Sequence, residues 1–145
     1  MYDTNSINAL ISRFKTQELP LDEWTHQAHL VVAIWFCWDQ GYEDALKTVR
    51  SLIIRYNDSV GTPNSEDSGY HETLTQFWLK VVADYLSNGN FQSILNAFQS
   101  FISTPMASRN YPLEFYSRKL LFSIDARYNW VPPDLKHPGF IYESS

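Results

Sequence analysis

Apolar residues recur every three or four positions along most of this chain, and nowhere do they alternate for long with polar ones. That period is helical. Ile7, Leu10, Ile11 and Phe14 predict a first helix over Ser6–Lys15, with Asn5 or Ser6 as cap. A second is expected from about Glu23 to Gln40, with Asp22 capping its start and Gly41 ending it. Past Leu30 it is apolar almost all round, which places it centrally. Ala45, Leu46, Val49, Leu52, Ile53 and Tyr56 give a stripe to a third helix, from Tyr42 to about Asn57. A fourth, from about His71 to Leu86, turns Leu74, Phe77, Trp78, Val81, Val82 and Tyr85 inward. A fifth covers Phe91 to Ile102, and a shorter one Pro112 to Leu121. A further turn is expected around Asp125 and Ala126.

Two stretches break the pattern. Residues 58–69 are rich in Gly, Pro, Asn and Ser and read as a long loop that delivers the chain to Tyr70, His71 and Glu72. Trp130 to Gly139 carries three prolines and reads as an extended tail over the surface. The fold class expected is all-α: a compact bundle of five to six helices with an extended Pro-rich C-terminal tail, one domain over residues 1–145.

Composition narrows the function classes. A net charge of −5 without a Lys/Arg cluster disfavours nucleic acid and membrane surfaces as partners. No apolar run approaches the length of a membrane span, and the first residues lack the pattern of a signal peptide. With Cys37 as the one cysteine, inside an apolar helix, the cytoplasm is the expected location and a buried, inert thiol the expected state. Aromatic residues at 16% supply much of the expected core, and those of the tail leave room for a homodimer. No Gly-rich phosphate loop occurs, so no nucleotide cofactor is expected.

The candidate chemistry lies in three clusters. Glu23, His26 and His29 are spaced by three, so one helix face can present all of them. His71, with Tyr70 and Glu72 beside it, enters where the long loop meets the fourth helix. His26, His29 and His71 are a candidate ligand set for one divalent ion, Fe, Mn, Ni or Zn, because three imidazoles plus an open position describe a catalytic site. Glu72 or Glu23 is then a fourth ligand or general base, and Tyr70 a proton donor. Arg118 and Arg127 are candidates for holding an anionic group of a small-molecule substrate. A second Glu-x-x-His pair is missing, which argues against a dinuclear centre. The same residues also admit a metal-free His/Glu polar cluster, or single surface positions, and Arg127 also admits pairing with Asp125 or Asp134.

The segments Glu23-Trp24-Thr25-His26-x-x-His29-Leu30, Gly69-Tyr70-His71-Glu72-Thr73-Leu74-Thr75-x-Phe77-Trp78, Tyr116-Ser117-Arg118 and Pro133-Asp134-Leu135 resemble a group of small bacterial helical proteins. The resemblance spans about Leu19 to Leu135. It implies a bacterial origin and a shared design, and links the segments around His26, His29 and His71, but supplies no reaction. Two functions follow as expectations. One is a mononuclear metal-dependent enzyme acting on a small, anionic molecule. The other is a non-catalytic small-molecule or protein-binding module.

Overall fold

The protein was analysed as a computed structural model, which describes residues 2–140. Among the described residues seven α-helices follow one another: α1 (Thr4–Lys15), α2 (His26–Gln40), α3 (Tyr42–Ser59), α4 (Glu72–Asn88), α5 (Ile94–Ile102), α6 (Arg118–Leu121) and α7 (Ile124–Tyr128). Short 3-10 turns lie at Leu21–Glu23, Pro105–Ala107 and Tyr111–Glu114. Among the described residues there is no strand, only one isolated bridge between Ser65 and Ser68. No described helix is long and apolar enough to cross a membrane.

Helix α2 is the axis of the fold. It packs on α1, α3, α4 and α5 and buries residues on every side, from Ala28 and Leu30 to Phe36 and Cys37. Its start differs from the sequence expectation. Thr25, not Asp22, is the N-cap, and its hydroxyl accepts from the Ala28 amide at 3.1 Å. Pro20 enters extended at ψ 146°, the 3-10 turn follows, and Glu23 therefore precedes the helix. At the other end Gly41 has φ +82°, a conformation that favours glycine, and serves both as C-cap of α2 and N-cap of α3. Asp3, in a capping box with Ser6, opens α1, upstream of the expected cap.

The expected sixth helix is split. Ser117 lies in extended conformation, its amide donates to Asp134 Oδ1 at 2.7 Å, and its hydroxyl caps α6. The chain after Tyr128 is held mainly by tertiary hydrogen bonds. Tyr116 Oη donates to the Val131 carbonyl at 2.7 Å, the Leu135 amide to the Phe115 carbonyl at 2.9 Å, and Thr73 Oγ1 to the Asn129 carbonyl at 2.7 Å. Phe77, fully buried, is surrounded by the rings of Trp78, Tyr111, Phe115, Tyr116 and Phe140 at centroid distances of 5.4 to 6.1 Å. Aromatic pairs of this kind add about 1 kcal/mol each beyond area burial.

The long loop is latched by Asn64. Its Oδ1 accepts from the Tyr70 amide (2.9 Å) and from Asn57 Nδ2 (3.0 Å), while its own Nδ2 donates to the Ile54 carbonyl and to Asp58 Oδ1. Gly69, at φ +78°, closes the latch: a Cβ there would lie 2.4 Å from the Pro63 carbonyl oxygen and 2.6 Å from Asn64 Oδ1. This pins the backbone of Tyr70 and His71 against α3, next to a cavity that both residues line.

Candidate functional site

A cavity of about 540 Å³ lies between α2, α3 and α4, roofed by the Leu21–Thr25 segment and the latched loop. Leu30, Val32, Ala33, Val49, Ile53, Leu74 and Leu79 give it apolar walls, and the rings of Trp24 and Trp78 flank it. Its polar lining comes from Thr25, Thr62, Thr75, Asn57, Tyr70, the three histidines and Arg109. His26, His29 and His71 therefore do meet at one space, although they use their ring nitrogens in different ways.

His71 spends both nitrogens on the protein. Nδ1 accepts the Leu74 amide at 3.1 Å, making the imidazole the N-cap of α4. Nε2–H donates to the Leu121 carbonyl at 2.7 Å, tying that helix start to the end of α6. These partners fix one neutral tautomer and leave no lone pair for an ion. Burial pushes the ring below its ordinary pKa, opposed by the Leu121 carbonyl and assisted by the positive charge of Arg127.

His26 and His29 each spend one nitrogen. His26 Nε2–H donates to the Ala107 carbonyl at 2.8 Å, and the ring meets Trp78 edge-on at 5.4 Å. His29 Nδ1–H donates to the Thr25 carbonyl at 2.7 Å, and its ring stacks on Trp24 at 3.8 Å. Neither remaining nitrogen, Nδ1 of His26 or Nε2 of His29, has a protein partner, and neither is buried without one. His29 is exposed and lines the cavity. Desolvation pushes it down to about 4 despite the Thr25 carbonyl, with His26 and Arg109 adding smaller effects of the same sign. Near neutral pH it is an uncharged acceptor.

Glu72 belongs to a different environment. Oε1 accepts from Arg50 Nε (2.9 Å) and Tyr70 Oη (2.7 Å), and Oε2 from Arg50 Nη2 (2.6 Å) and Gln76 Nε2 (2.6 Å). Burial would raise its carboxyl pKa, but the bonds from Arg50, Tyr70 and Gln76 outweigh that and hold it below the usual range. Tyr70 is pushed well above the usual phenol range by burial and by Glu72. Neither histidine of α2 bonds to this network. Glu23 is also elsewhere: it pairs with Arg13 at 3.2 Å on the exposed surface.

Of the two arginines singled out by sequence, Arg118 is exposed on α6 and lines neither this cavity nor the neighbouring cleft. Arg127 donates through Nη1 to the carbonyls of Gly69 (3.1 Å) and Tyr70 (3.4 Å). Neither Asp125 nor Asp134 pairs with it: Asp125 accepts from Asn129 Nδ2, and Asp134 from the Ser117 amide. Cys37 is buried, its thiol pushed up to about 12 and directed at the Leu79 carbonyl. Two residues of consequence went unread in the sequence. Arg50 is the ionic partner of Glu72 from 22 positions away, and Arg109 lies in an irregular turn with no motif around it.

Among the described residues no group of three or more His, Cys, Asp or Glu is arranged to hold a metal ion. No protein-family model, curated protein or solved structure matches the chain.

Proposed function

We propose that this protein binds a small organic molecule in the cavity between α2, α3 and α4. The reading rests on one observation: two imidazole nitrogens without protein partners, on His26 and His29, belong to a largely apolar space of about 540 Å³. Such a space, largely hydrophobic with a few fixed polar groups, is the usual form of a small-molecule site. Because backbone carbonyls hold the other nitrogen of each ring, both free nitrogens accept and neither donates. The ligand therefore offers N–H or O–H groups to them. Its body is apolar, to match the walls beside Trp24 and Trp78, and an anionic end is favoured by Arg109.

A second reading is favoured by the same anchoring. Metal-bound histidines commonly give their other N–H to a backbone carbonyl. His26 and His29 have that arrangement, so a divalent ion held by these two and completed by the bound molecule is the alternative, with His71 outside the ligand set.

Anilinonaphthalene sulfonate has the required features: fused rings, one N–H and one anionic group. Saturable binding of one equivalent, with energy transfer from tryptophan, is expected. Ala33→Phe, which fills the cavity, is expected to abolish it, and Arg109→Gln, an exposed position, to weaken it ~5-fold. Urea unfolding checks that both variants fold. Absence of saturable binding, or equal binding by both variants, overturns the proposal. Elemental analysis of protein purified without an affinity tag separates the second reading: a stoichiometric divalent ion that is lost in His29→Ala supports it.

A further inference from the structure

Beyond the α2 cavity, a second cleft of about 550 Å³ opens on the other side of Tyr70, which lines both. Its charged residues are Arg50, Arg127 and Glu72, and its ring-bearing walls are Tyr70, Tyr128 and Trp130. Glu72 accepts two hydrogen bonds from Arg50, one from Tyr70 and one from Gln76, so its acceptor capacity is taken up inside the protein. Arg50 gives Nε and Nη2 to Glu72. Arg127 has no carboxylate partner among the described residues; only Nη1 is engaged, on two loop carbonyls, leaving Nε and Nη2 as donors. In a chain of net charge −5, this cleft thus carries two guanidinium groups against one carboxylate already consumed by the first of them.

We propose that this cleft is an oxyanion site, taking a carboxylate or phosphate group carried on a ring-containing molecule. Guanidinium edges match both oxyanions with paired hydrogen bonds. Tyr128, 55% exposed, offers a face on which an apolar body can lie, beside half-buried Trp130, whose ring already carries the Lys80 ammonium at 3.8 Å. The site is independent of the cavity beyond Tyr70 and stands whether or not that cavity is occupied.

Titrating benzoate and phenyl phosphate separately, with ¹H–¹⁵N NMR of the backbone amides of residues 127–130 and of the Arg127 Nε–H, tests the proposal. Saturable shifts at these positions are expected from at least one probe, and the tighter one identifies the oxyanion. Arg127→Gln is expected to weaken it at least ~10-fold, the loss of one charge-assisted contact. Tyr128→Ala, at an exposed position, is expected to weaken it several-fold. Because Arg127 also braces the loop, the wild type carries an independent readout: affinity must fall as salt rises. Ala33→Phe is expected to leave this binding intact, which separates failure here from failure of the α2 cavity. Shifts that do not saturate, that scatter away from residues 127–130, or that persist unchanged in Arg127→Gln overturn the proposal.

Discussion

His71 is the residue at which a ligand role and a structural role predict opposite behaviour. In His71→Ala, α4 loses its cap, since no side chain then accepts the Leu74 amide; that costs about 1 kcal/mol. The Leu121 carbonyl loses its donor inside the protein, for about 1–2 kcal/mol. Removing a ring that is 7% exposed adds lost packing of about 1 kcal/mol. The sum is about 3–4 kcal/mol, and with a urea m-value near ~2 kcal/mol/M the midpoint falls by ~1.5–2 M. Asn is a good capping residue but too short to replace the bond to Leu121. His71→Asn is therefore expected to recover only the cap, about 1 kcal/mol. Urea unfolding followed by far-UV circular dichroism measures both variants, with and without EDTA. The reasoning is refuted if His71→Ala costs under about 0.5 kcal/mol, or if His71→Asn is no more stable than His71→Ala. It is equally refuted if EDTA lowers the wild-type midpoint to that of the variant, because stability would then come from an ion.

Acid should act through the same rings and then through Glu72. His29 and His71 both have folded pKa values below 6.5, so the unfolded chain binds protons first. Their contribution is complete above that value and declines as pH falls through it, towards about 4 for His29. Glu72, held below 4.5, contributes above that value and is lost lower still. Urea midpoints are thus expected to be level near neutrality and to drop between pH ~6.5 and ~4.5; a midpoint unchanged over that window contradicts the assignment. Glu72→Gln places an amide N–H₂ among the donors of Arg50, Tyr70 and Gln76, and is expected to destabilise by about 2–3 kcal/mol. Arg50, 39% exposed at its side chain, retains water as a partner, which keeps the loss below that of a fully buried pair. Calorimetry should show Tm lower by ~5–10 °C, and a change under ~1 °C would mean the network contributes little.

The helices were legible because burial on this fold follows the helical period: Ile7, Leu10, Ile11 and Phe14 in α1, and Ala45, Val49, Leu52 and Tyr56 in α3, are all buried where the spacing puts them. The cap of α2 was misread because Asp22 and Thr25 are both good capping residues three positions apart. The choice between them was made by Pro20 and the 3-10 turn it starts, a contest that residue preferences alone do not decide. The cap of α4 was hidden for the opposite reason. Histidine is not among the favoured capping residues. It serves here because a carbonyl 50 positions away takes its second nitrogen.

That distant carbonyl also explains why the three histidines were readable as a group but not as individuals. Helical spacing and the long loop bring His26, His29 and His71 to one cavity, and both signals are local. What each ring does there is set by the acceptor opposite it. For His29 that acceptor is local, the Thr25 carbonyl one turn back, which also takes the His29 amide at 3.0 Å. For His26 and His71 it comes from Ala107, in a 3-10 turn, and Leu121, at the end of α6, pairings across 81 and 50 positions that local pattern does not reveal. A ring satisfied by one carbonyl keeps a lone pair to offer; a ring that also caps a helix keeps none. The difference between a binding nitrogen and a structural one is therefore a tertiary property. It divides two histidines from the third although all three line the same space.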